Sequence, residues 1–132
     1  MSAVDFVIKG GTLADGSKAD VCITGDEIVE VTPTYTGKAK EVVDANSCIV
    51  LPGLVDLHTH LREPGREDAE TVLTGSRAGV KGGFTALSAM ANTSPVADTA
   101  GVVEQVYRLG QEAGLLDVFP IGAVTELSLI HI

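Results

Sequence analysis

His58-Thr59-His60 is the stretch of this sequence best equipped for chemistry. It closes an apolar run, Leu54-Val55-Asp56-Leu57, that reads as a mostly buried strand. Side chains in a strand alternate between faces, so residues two apart project together. The two imidazoles therefore converge at the C-terminal end of the strand, where parallel α/β folds gather their active sites. Neutral imidazole is a good ligand for Zn²⁺, although a bare His-x-His also fits two unrelated polar residues at a strand end. Arg62 follows in the turn Arg62-Glu63-Pro64-Gly65, and a guanidinium is the natural bidentate partner of a carboxylate. Asn92 lies in Met90-Ala91-Asn92-Thr93, after a second apolar stretch, where its amide can donate to and accept from a substrate. Taken singly, Arg62 reads as a solvated surface charge and Asn92 as a turn residue. With the His pair on a neighbouring strand end, one shared site is the better reading.

Such a site needs a scaffold. The first fifty residues read as short strands and turns: Val4, Phe6 and Ile8 alternate until Gly10-Gly11 breaks the run, and Val21 and Ile23 lead through Thr24-Gly25-Asp26-Glu27 to Ile28, Val29 and Val31 as a hairpin. Val42-Val43 and Cys48-Ile49-Val50-Leu51 flank another turn, and a small antiparallel unit over 1–52 is expected. From Pro52-Gly53 the pattern changes to strand, helix, strand, helix, strand. Asp68 is expected to cap a helix, with Glu70 in its first turn, that runs to about Lys81. Gly75 and Gly79 fall on one face of that helix, where close packing would explain them. Phe84–Met90 is the next strand, Asp98 the next cap, and Val102, Val106, Leu109 and Ala113 line one helix face before Gly114 ends it. Asp117–Val124 is the third strand. Consecutive βαβ units imply a parallel sheet, and both a doubly wound sheet and a (β/α)8 barrel begin this way.

Composition narrows the partners. Lys plus Arg number 9 and Asp plus Glu 18 among 132 residues, a net charge of −9 that disfavours nucleic acid. A local Arg can still outweigh that field for a small anion. An apolar share of 45% is ordinary for a globular domain. Cys22 and Cys48 lie in apolar stretches without metal-site spacing, and both are expected to be small buried side chains. The start has no signal-peptide pattern and no apolar run approaches ~18 residues, so no membrane span and a cytoplasmic location are expected.

The stretch from Pro52 to Gly65, with His58-Thr59-His60-Leu61-Arg62-Glu63-Pro64-Gly65 at its end, resembles the signature of class I dihydroorotases. The likeness continues through Glu70-Thr71, Gly82-Gly83-Phe84-Thr85, Ala89-Met90-Ala91-Asn92-Thr93 and Pro95-Val96-Ala97-Asp98, covering about residues 1–125. The fold it implies is α/β: the first three β/α units of a (β/α)8 TIM barrel over 53–126, preceded by a small antiparallel β (composite sandwich) domain over 1–52. The function it implies is zinc-dependent, reversible hydrolysis of the cyclic amide of dihydroorotate to N-carbamoyl-L-aspartate in pyrimidine biosynthesis. His58 and His60 would bind Zn²⁺, one or two ions in the complete enzyme. Arg62 and Asn92 would hold the substrate carboxylate, with His60 beside the substrate.

Departures from the family pattern are few. Ala91 stands where some members have Pro and Ala69 where some have Lys. The family's catalytic Asp and further metal ligands come from later strands, so this segment alone is expected to be inactive. The tail 127–132 does not match the family, and His131 within it is assigned no role. Alternative readings are another cyclic amidohydrolase, an allantoinase or hydantoinase, or a non-catalytic dihydroorotase-like scaffold for aspartate transcarbamoylase. Association with that enzyme or with further copies of itself is a possible partnership of the complete protein.

Overall fold

A computed structural model describes residues 3–124. The chain divides into two compact units, Met1–Pro52 and Gly53–Ile132. The expected tail, 127–132, lies outside the described residues.

The first unit is a five-stranded sheet of β1 (Val4–Leu13), β2 (Lys18–Thr24), β3 (Glu27–Thr32), β4 (Ala39–Asp44) and β5 (Ile49–Val50), in the order β3-β2-β1-β4, with β5 also on β1. The β2–β3 hairpin forms as its turn residues require. The sheet is not purely antiparallel, however: β1 pairs in parallel with both β4 and β5. Nor does Gly10-Gly11 end β1. The strand runs on through a register irregularity between Ile8 and Gly11, where the Gly10 N–H donates to Asp20 Oδ1 at 2.8 Å. Asp20 is only 5% exposed and also accepts from the Tyr35 N–H. These two backbone donors hold its carboxyl below the usual carboxylate range. Val4, Val7 and Cys22 form the core with Tyr35 and Ala39 against them. Cys48 is exposed, against expectation, because it closes a turn onto the Ala45 carbonyl instead of entering a strand.

The second unit is mixed α/β. Its strands β6 (Leu54–Thr59), β7 (Phe84–Ala89) and β8 (Asp117–Pro120) pair in parallel in that order, joined by α1 (Val72–Lys81) and α2 (Ala100–Ala113). The described residues thus hold two strand–helix units and a third strand, which ends at Pro120 and not at Val124.

The cap of α1 is Thr71, not Asp68. Thr71 Oγ1 accepts from the Thr74 N–H at 3.1 Å, while Thr74 Oγ1 accepts from the Thr71 N–H at 2.9 Å, a reciprocal box that satisfies two end donors. Glu70 therefore precedes the helix, and the first turn holds no acid. Thr99, which makes no side-chain cap bond, takes the position expected of Asp98 at α2. Gly114 closes α2 in the left-handed region as expected.

Gly75 and Gly79 do mark close packing. A Cβ on Gly75 would lie 2.5 Å from Leu61, and one on Gly79 would lie 2.8 Å from Leu116. Gly110 similarly lets α2 approach Val118 of β8. Leu61, Val72, Leu87, Ala89, Val106 and Val118 make the core beneath the helices. Each large apolar side chain buried there contributes about 1.5–3 kcal/mol relative to exposure. The opposite side of the sheet is open. Val55 (57%), Leu57 (73%) and Phe119 (52%) are exposed in this segment. Among the described residues β6 pairs with β7 alone.

Candidate functional site

The site is built where β6 and β7 end. Register along β6 and β7 pairs Asp56 with Leu87 but Thr59 with Ala89, so β6 uses three residues where β7 uses two. This extra residue has a consequence for the histidines. Under uninterrupted pairing His58 would stand opposite Ala89 and share its buried, helix-covered side. The bulge gives that place to Thr59. The Thr59 hydroxyl donates to the Ser88 carbonyl at 3.0 Å and the Met90 N–H donates to the Thr59 carbonyl at 2.8 Å, which pins the two strand ends together. Asp56 Oδ1 accepts from the His58 N–H at 2.9 Å.

The expected residues come together unequally. The His58 and His60 rings lie edge to face with centroids 5.1 Å apart. His60 Nδ1 and Asn92 Oδ1, from residues 32 apart in sequence, are 2.7 Å apart. With the proton on Nδ1 the imidazole donates to the amide oxygen, leaving Nε2 with its lone pair and the Asn92 amide nitrogen free to donate. Arg62 is exposed, and its guanidinium makes no hydrogen bond or ion pair among the described residues. Nor is there any group of three or more His, Cys, Asp or Glu side chains arranged to hold a metal among the described residues.

The backbone around Arg62 is unusual. Its φ is +63°, the one positive value at a non-glycine position among the described residues. The Glu63 N–H donates to the Leu61 carbonyl at 2.8 Å, so Arg62 is the centre of a three-residue γ-turn of the rarer, strained kind. A left-handed non-glycine residue costs on the order of 1–3 kcal/mol and persists only where its surroundings hold it. They do here. Glu63 Oε2 accepts from the Val72 N–H at 2.7 Å, the Arg62 carbonyl accepts from the Arg66 N–H, and the Pro64 carbonyl accepts from the Ser94 N–H at 2.9 Å. Gly65, at φ +106°, sits where a Cβ would fall on the Ser94 carbonyl oxygen, so only glycine lets the two loops meet. Sequence reasoning assigned no role to Glu63 or Gly65. No local signal pointed to Glu63, since the sequence reading placed Glu70 in the first turn of α1, which the structure shows to hold no acid.

Residues 47–127 match the family described as dihydro-orotase-like. The chain is 61% identical over 125 residues to the dihydroorotase of Leifsonia xyli subsp. xyli, covering 95% of this chain and 28% of that protein. It is 60% identical over 119 residues to the dihydroorotase of Streptomyces coelicolor, covering 90% and 28% respectively. Among solved structures, the L-hydantoinase (dihydropyrimidinase) of Arthrobacter aurescens superposes with a TM-score of 0.79 over 90% of this chain and 28% of its own, a likeness of fold at 22% identity. The chain therefore spans little more than a quarter of the length of these curated relatives. A family pattern matched over more than half of its residues settles the kinship: the chain belongs to the dihydro-orotase-like family.

Proposed function

We propose that this segment supplies part of the active site of a dihydroorotase, which opens the cyclic amide of dihydroorotate reversibly to N-carbamoyl-L-aspartate in pyrimidine biosynthesis. In this reading 53–126 begins a (β/α)8 barrel and 1–52 is a separate β domain. The observation that carries the reading is the meeting of His60 and Asn92 at 2.7 Å, beside His58 and next to a loop bearing a free guanidinium. These side chains combine ligands for a cation with donors for a carboxylate.

His58 and His60 would hold the metal. Their rings lie side by side, with centroids 5.1 Å apart, so both could offer a nitrogen to one ion. Asn92 Oδ1 would keep His60 in the tautomer that offers Nε2, the way outer partners orient metal-binding histidines. When bound, Zn²⁺ supplies water acidified to near-neutral pKa and polarisation of the amide carbonyl. Arg62 would bind the substrate carboxylate and so orient the ring, with the Asn92 amide nitrogen donating to the same group. Hydrolysis adds water across the carbonyl and breaks the C–N bond, and the ring nitrogen takes a proton. A carboxylate elsewhere in the complete enzyme would take that proton from the attacking water and pass it to the nitrogen, since the family places such a residue on a later strand.

Arg62→Met tests the division of labour in a full-length enzyme carrying this segment. Losing a charged hydrogen bond costs about 1.5–3 kcal/mol, so kcat/KM for dihydroorotate should fall roughly ten- to more than a hundredfold while zinc content stays unchanged. Kinetics equal to the wild type would remove Arg62 from the substrate site, and lost zinc would move it to the metal.

A further inference from the structure

Glu63 follows Arg62 in the loop, and its own side chain reaches the start of α1. Its Oε2 accepts the Val72 N–H at 2.7 Å. Val72 is the first residue of the helix and is fully buried, and the first turn of α1 has no acid of its own. The carboxylate thus supplies from nine residues away both an acceptor for an end donor and the negative charge that a helix N-terminus favours. The same residue closes the γ-turn over Arg62 through its N–H to the Leu61 carbonyl. One residue therefore ties the strained Arg62 backbone to a helix fixed in the core.

We propose that Glu63 is a positioning residue, whose hook on the Val72 N–H holds the γ-turn that presents the Arg62 guanidinium to the substrate carboxylate. This rests on the dihydroorotase reading. Reach matters more than charge. An Asp at this position keeps the charge but is one methylene shorter, so it lets go of Val72. A Gln loses the charge but keeps an oxygen at the same distance.

The test is steady-state kinetics on dihydroorotate in the zinc-loaded full-length enzyme with Glu63→Asp, Glu63→Gln, Arg62→Met and the double variant Glu63→Asp/Arg62→Met, with zinc content measured for each. Glu63→Asp should raise KM about tenfold, in keeping with the cost of misplacing a binding group, with zinc unchanged. Glu63→Gln should stay within about twofold of wild type, since its oxygen still accepts. In the Arg62→Met background, Glu63→Asp should have no further effect on KM, because residues acting through one contact are not additive. A wild-type KM for Glu63→Asp while Arg62→Met raises KM would overturn the positioning role alone. So would an equal KM increase in Glu63→Gln, or a Glu63→Asp effect that persists in full without Arg62. If Arg62→Met itself left both kcat and KM unchanged, the underlying substrate reading would fall, and the role of Glu63 with it.

Discussion

Replacing His58 or His60 by alanine in a full-length enzyme carrying this segment should strip zinc and lower turnover of dihydroorotate by well over about 100-fold. Losing merely an outer partner of a metal ligand costs about 10–100-fold, and each imidazole here would be a direct ligand. The two variants should differ in a useful way. His60 is held by Asn92 at 2.7 Å, whereas His58 is exposed and held chiefly through its backbone by Asp56. Asn92→Ala should therefore weaken zinc binding, through a wandering His60, whereas no comparable side-chain partner steadies His58 among the described residues. Metal analysis after dialysis, alongside the rate, reads both effects. Full zinc occupancy with full turnover in His60→Ala would remove the pair from the metal site.

The second large effect concerns residues 1–132 produced alone, which should associate into oligomers or aggregates and show no turnover. Two imidazoles fall short of the three protein ligands of a catalytic zinc site, and no larger ligand group forms among the described residues. Among the described residues β6 and β8 each lack a second strand partner, and Val55, Leu57 and Phe119 are exposed. In the other unit Ile28, Val42 and Ile49 are 66%, 59% and 69% exposed. Apolar patches and unpaired edges of this kind recruit further chain. Size-exclusion chromatography with light scattering would show the association, and a monodisperse monomer with a cooperative melt would contradict it.

Local chemistry was readable from the sequence and register was not. The His-x-His spacing, the Gly75/Gly79 face, the β2–β3 hairpin and the Gly114 stop all follow from rules spanning a few residues, and the fold has them. The bulge in β6 does not follow from any such rule. It arises from pairing with a strand some thirty residues away, and it puts Thr59 in place of His58 opposite Ala89. The cap of α1 shows the same limit. Asp68 and Thr71 are both good caps, and Thr71 prevails because Thr74 reciprocates and Glu63 arrives from the preceding loop to take the Val72 N–H. The parallel placement of β4 on β1 and the exposure of Cys48 are likewise decided by partners that local patterns do not name. For the site, residue types pointed to Arg62 and Asn92, but the contact of Asn92 with His60 and the strained turn beneath Arg62 needed three dimensions.

The most direct test of the site's chemistry is a substrate comparison in the zinc-loaded full-length enzyme: kcat/KM for dihydroorotate against dihydrouracil, the same ring without the carboxylate, and against hydantoin and allantoin. A site built on Arg62 and Asn92 should favour dihydroorotate by at least roughly tenfold, the lower bound for one charged hydrogen bond. Equal or faster hydrolysis of dihydrouracil or hydantoin would contradict it, and would assign the loop of Arg62 to something other than holding a substrate carboxylate.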